Sequence, residues 1–126
     1  MPEFHTSWQD TPIFIKTYEL YKNFYTLLPS FPRKDRYALG QKCETVLLNL
    51  LEKIILASNL SKQEKSPVLR EASIKVDLLR VFFRLGKDFK IIENRKYIEL
   101  ENSITEIGRM VGGWIKTTLF EIRNFD

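Results

Sequence analysis

Apolar residues recur along this chain at spacings of three and four, and no convincing alternating run with hairpin chemistry is present. Phe14, Tyr18, Tyr21, Tyr25 and Leu28 fall four, three, four and three apart, with Ile13, Leu20, Phe24 and Leu27 beside them. Thr11-Pro12 is a helix start, with Thr11 as N-cap and the proline at the first helical position, where its missing N–H costs nothing. The pattern predicts a first helix over residues 12–28, stopped by Pro29-Ser30-Phe31-Pro32. A second helix is predicted over residues 33–58, its stripe being Leu39, Cys43, Val46, Leu50, Ile54 and Ala57, widened by Leu47 and Leu51. After a polar connector, Ser66-Pro67 repeats the cap-plus-proline signal and predicts a third helix running to Lys90. Glu93-Asn94 turns the chain into a fourth, over residues 95–123, where Tyr97, Leu100, Ile104, Ile107, Val111, Trp114 and Ile122 keep helical spacing. Four helices with short connectors define an all-α, up-down-up-down four-helix bundle. Residues 1–10 show no periodicity and are expected to form a flexible leader, leaving residues 11–126 as one domain.

The third predicted helix carries more apolar surface than one buried face needs. At about 100° per residue, Ile74, Leu78, Val81, Phe82, Leu85 and Phe89 cluster on one side and are expected to face the core. Ala72, Val76, Leu79 and Phe83 form a second stripe elsewhere on the helix. A bundle helix needs one such stripe, so Val76, Leu79 and Phe83 are expected to form an oligomer interface with another copy of the chain. A tilted neighbouring helix covering them is the alternative. Between the stripes lie Arg80, Arg84 and Lys87, and the fourth helix carries Arg109, Lys116 and Arg123 at heptad spacing. Strips of this kind suit phosphate backbones. The competing reading is a solvated face with local pairs, Asp77 to Arg80 and Arg84 to Asp88.

Composition narrows the chemistry. The chain has 126 residues, a size for a single domain with a real core, 44% hydrophobic and 29% charged. Its net charge is +4, and residues 67–92 hold six basic residues against three acidic ones, so most of the excess lies on the third helix. No stretch approaches 18 uninterrupted apolar residues and no signal-peptide pattern opens the chain, so no membrane association and a cytoplasmic location are expected. One cysteine, Cys43, and one histidine, His5, leave nothing for a disulfide framework, a zinc site or a Ser-His-Asp arrangement. Glu99, Glu101 and Glu106 lack the histidines of a di-metal bundle site. No catalytic residue, metal or cofactor is therefore expected. Gly108 and Gly112 have the spacing for close approach of another helix, at least one of Gly112 and Gly113 should be demanded by packing, and Cys43 and Trp114 read as core.

Three segments carry a family resemblance: Phe31-Pro32-Arg33-Lys34-Asp35-Arg36-Tyr37-Ala38-Leu39-Gly40-Gln41-Lys42, Leu79-Arg80-Val81-Phe82-Phe83-Arg84-Leu85, and Ile107-Gly108-Arg109-Met110-Val111-Gly112-Gly113-Trp114-Ile115. In this order they resemble the accessory variability determinants (Avd) of diversity-generating retroelements, over about residues 13–119. The first segment alone looks equally like the small bundle proteins encoded in ribosomal-RNA intervening sequences. The Avd resemblance implies a non-enzymatic partner of a reverse transcriptase, assembled into a homopentameric barrel with a basic surface that binds RNA or cDNA and supports mutagenic reverse transcription. It also implies a partner-binding role for Arg80 and Arg84. The alternative is an intervening-sequence-type bundle with a structural role and no nucleic-acid binding.

Overall fold

The computed structural model describes residues 7–125. Four helices dominate it: α1 (Pro12–Leu27), α2 (Gln41–Ser58), α3 (Lys62–Asp88) and α4 (Asn94–Phe125), with no strand among the described residues. α1 and α3 each pack against both α2 and α4, closing a four-helix bundle. The α3–α4 register is antiparallel: Lys65 lies over Trp114, Val76 beside Gly108 and Arg80 beside Glu101. Among the described residues no helix is long and apolar enough to cross a membrane.

The leader expected over residues 1–10 lies outside the described residues up to residue 6. Ser7–Asp10 forms a 3-10 turn that places Trp8 edge-on against Phe14, with ring centroids 5.1 Å apart. Thr11 caps α1 as expected, its hydroxyl accepting from the Phe14 N–H. The proline-rich stop becomes a 3-10 turn, Leu28–Ser30, and the run expected over 33–58 is helical throughout. That run opens with Arg33–Asp35 and widens to a π-helix over Arg36–Gly40 before α2. Gly40 is held against the preceding turn so closely that a Cβ there would lie 2.6 Å from Leu28 Cδ1.

α3 starts earlier than the Ser66-Pro67 signal placed it. Ser61 is the N-cap, its Oγ accepting from the Glu64 N–H while Glu64 Oε1 accepts from the Ser61 N–H. This reciprocal pair satisfies two otherwise unpaired donors, and it outweighs the one backbone donor that Pro67 withholds inside the helix. At its other end the chain closes with Lys90 at φ 60, where Ile91 N–H donates to Gly86 O and Lys90 N–H to Lys87 O. Ile92 folds back onto Gly86, where a Cβ would overlap Ile92 Cδ1 and Cγ1, so this position favours glycine.

Two faces are assigned differently from their periodicity. On α3 the buried line is Leu69, Ala72, Val76, Leu79, Phe83 and Gly86. Val76, Leu79 and Phe83, expected at an oligomer interface, are therefore the protomer's own core. The stripe expected to be core faces outward instead: Ile74, Val81 and Phe89 are exposed, with Leu78, Phe82 and Leu85 half-buried. Periodicity alone cannot choose between two apolar stripes on one helix. The deciding feature is that the buried line runs unbroken from Leu69 to Gly86 and includes the small residues that let neighbouring helices approach. On α1 the buried line is Ile13, Thr17, Leu20 and Phe24, while Tyr18 and Tyr25 are exposed. Thr17 hides the true face from a hydrophobicity count, since its hydroxyl is satisfied by donating to Ile13 O at 2.8 Å.

The glycines of α4 also divide. Gly108 is a contact: a Cβ there would sit 3.2 Å from Val76 Cγ1 and 3.3 Å from Arg80 Nη2. Packing is expected to demand at least one of Gly112 and Gly113, but neither has anything within 4 Å of an added Cβ. Gly113→Ala should therefore raise stability by about 1 kcal/mol, the propensity difference for an open helical site, as read by urea unfolding. A loss of stability would mean that a neighbouring molecule occupies this space. Cys43 is buried as expected, whereas Trp114 is half-buried beneath Lys65.

Candidate partner-binding surface

The basic residues of α3 and α4 are held on the outside by the same periodicity that buries the core. With Val76, Leu79 and Phe83 facing inward, Arg80 and Arg84 fall on the flank of α3 that meets α4. There they line a groove of about 350 Å³ together with Val81, Leu85, Tyr97 and Glu101. Arg80 Nη1 lies 3.8 Å from Glu101 Oε2, and the same carboxylate accepts from Thr105 Oγ1 at 3.2 Å. Arg84 Nε reaches Asp88 Oδ1 at 3.7 Å, one turn on. Lys87 Nζ sits 5.2 Å from the centroid of the Tyr97 ring.

Of the two local pairs that a solvated face would form, Arg84–Asp88 is present, while Arg80 turns across to α4 instead of to Asp77. Glu101 and Tyr97 are the groove residues that sequence reasoning did not assign. Their signal is an inter-helix register, which the periodicity of a single helix does not contain. Both ion pairs are at least a third exposed, and pairs of that kind are worth about 0–1 kcal/mol. Each guanidinium can therefore exchange its present carboxylate for a partner's carboxylate or phosphate at little cost, keeping its planar fork.

Arg109, Lys116 and Arg123 are exposed along α4. They span about 21 Å at 1.5 Å per residue. Arg80 lies over Gly108, so this second strip begins one residue from where the α3 pair ends. The three glutamates that resemble an acid–base set are separately engaged. Glu99 pairs with Lys96 at 3.7 Å, Glu106 with Lys16 at 3.3 Å, and Glu101 with Arg80. Among the described residues no group of three or more histidines, cysteines or carboxylates could hold a metal ion. Burial pushes the Cys43 thiol up to about 12, so it carries no thiolate at neutral pH.

The basic groups of α3 and α4 thus lie on the outside of an antiparallel bundle, two of them in a groove between these helices. The chain belongs to the bAvd-like family, whose sequence model matches residues 13–118. Comparison with curated proteins finds no match.

Proposed function

We propose that this protein is a non-enzymatic accessory subunit of a diversity-generating retroelement. In this reading it assembles as a homopentamer in the cytoplasm, binds the element's reverse transcriptase and its RNA or cDNA, and supports mutagenic reverse transcription. The bAvd-like match over residues 13–118 carries the reading, because it reaches all four helices of the bundle. The groove supports it chemically. Arg80 and Arg84 stand one helical turn apart, weakly paired, and are continued by Lys87 on α3 and by Arg109, Lys116 and Arg123 on α4. For self-assembly, the outward face of Ile74, Leu78, Val81 and Leu85 takes the place first given to Val76, Leu79 and Phe83.

The test is the double variant Arg80→Ala with Arg84→Ala, assayed against the reverse transcriptase of a diversity-generating retroelement and against RNA. Thermal unfolding should stay within a few degrees of wild type, since only weak ion pairs are lost. Binding to either partner should fall at least tenfold. The log–log dependence of RNA affinity on salt should flatten by about 0.7 for each single-strand phosphate contact removed. Wild-type binding to both partners in the variant would overturn the assignment to this groove.

A further inference from the structure

Two segments of net positive charge meet at one end of the bundle. The α1–α2 junction, residues 29–40, holds three cations and one carboxylate; residues 87–96, around the α3–α4 turn, hold four and two. Each segment is thus +2, together equal to the +4 of the whole chain, so the remaining residues balance to zero. The two segments share an end of the bundle, since Ser30 from the first and Lys96 from the second line one cleft of about 260 Å³.

The same end presents the most exposed large apolar side chains of the described residues, and all three are aromatic. Phe89 is 69% exposed, Tyr37 65% and Tyr25 60%. Tyr25 stands in the last turn of α1, Tyr37 in the π-helix, and Phe89 at the C-cap of α3. Aromatic rings left in water are costly for solubility; Tyr37 and Phe89 are not part of this core, and Tyr25 rests tilted against Tyr21 at 6.1 Å. Lys90 adds an independent sign. It holds the left-handed φ of 60 that glycine adopts without strain. A lysine at this strained position adds an ammonium group to this end of the bundle where glycine would fold more easily.

From these observations we infer that this end of the bundle binds single-stranded nucleic acid, bases stacking on Tyr25, Tyr37 and Phe89 while Arg33, Lys34 and Lys90 engage phosphates. The inference rests on the reading that the chain binds nucleic acid, and it adds a second surface, adjoining the Arg80–Arg84 groove at Lys87, with a preference for unpaired strands. Single strands expose the faces of their bases, whereas a duplex hides them, and stacking tolerates any sequence. An acidic peptide would use the cations but not the rings.

The experiment measures fluorescence anisotropy of a labelled oligothymidylate and of a duplex of equal length, at low salt. Tyr37→Leu with Phe89→Leu should weaken oligothymidylate binding about tenfold or more, from the known worth of base–aromatic stacking, and leave duplex affinity and melting temperature unchanged. Tyr37→Phe should bind like wild type. Lys90→Gly should melt higher and bind more weakly, a pairing that a purely structural lysine would not produce. Undiminished oligothymidylate binding in the leucine double variant would overturn the inference, as would competition by polyglutamate equal to that by unlabelled oligothymidylate. If wild type binds and only Arg80→Ala with Arg84→Ala loses binding, the groove assignment stands and this site falls. If wild type binds neither probe, both fall.

Discussion

Phe83→Ala combined with Leu79→Ala is expected to abolish the cooperative fold at room temperature. Phe83 is fully buried and stacks on Phe24 at 5.9 Å, and Phe24 in turn meets Phe31 edge-on at 5.8 Å. The three rings join α3, α1 and the α1–α2 junction, so removing one opens a cavity where three parts of the chain converge. Truncating a buried Phe costs about 3–5 kcal/mol and a buried Leu about 2–5. The two sites lie one turn apart and share neighbours, so the costs will not simply add. Even the larger single cost consumes a substantial part of the roughly 5–15 kcal/mol that holds a domain together. Far-UV circular dichroism should show the loss of helix directly. Particles that become smaller yet remain helical would instead return Leu79 and Phe83 to a subunit interface, where their stripe was first placed by periodicity.

That contrast marks how far the chain can be read before its structure. The existence, order and approximate limits of all four helices follow from apolar spacing and from the proline and capping signals, because these act within a few residues. On α2 and α4 the expected lines largely hold: Cys43, Val46, Leu50 and Ile54 are buried, as are Leu100, Ile104, Ile107 and Val111. The misreadings arise where two apolar lines compete on one helix, as on α3, or where a buried threonine interrupts the true line, as on α1. Choosing between such lines requires knowing where the neighbouring helices stand, which is tertiary information.

The candidate surface divides in the same way. That Arg80, Arg84 and Lys87 share a flank is local helical geometry, legible from their numbers alone. That Arg80 reaches Glu101 rather than Asp77, and that Lys87 rests on Tyr97, depends on the α3–α4 register. The meeting of two positive segments at one end follows from the predicted topology and not from any single helix. Residues 29–40 and 87–96 are far apart in the chain, and only the up-down-up-down path brings them together.

Moving the core line of α3 inward leaves an apolar surface on the outside of the protomer, and this gives the second large effect. Ile74 and Val81 are 59% and 55% exposed, and with the half-buried Leu78 and Leu85 they run along α3 opposite its core line. Exposed apolar residues arranged along one helix face are what a self-association surface requires. Ile74→Gln with Val81→Gln should therefore dissociate the assembly while leaving each protomer folded. Glutamine keeps helix propensity and net charge, so the bundle is not disturbed; Val81 also lines the basic groove, and Ile74→Gln alone leaves that groove intact. Burying each aliphatic side chain contributes about 1.5–3 kcal/mol, so each subunit contact that loses both weakens by about 3–6 kcal/mol. That corresponds to a rise in dissociation constant of about a hundredfold to ten-thousandfold. Sedimentation at micromolar concentration should show protomer-sized particles with wild-type helical content, where the unmodified chain sediments as an oligomer. A wild-type chain that is already monomeric, or a variant that keeps its assembled mass, would show that this face of α3 is not where copies meet.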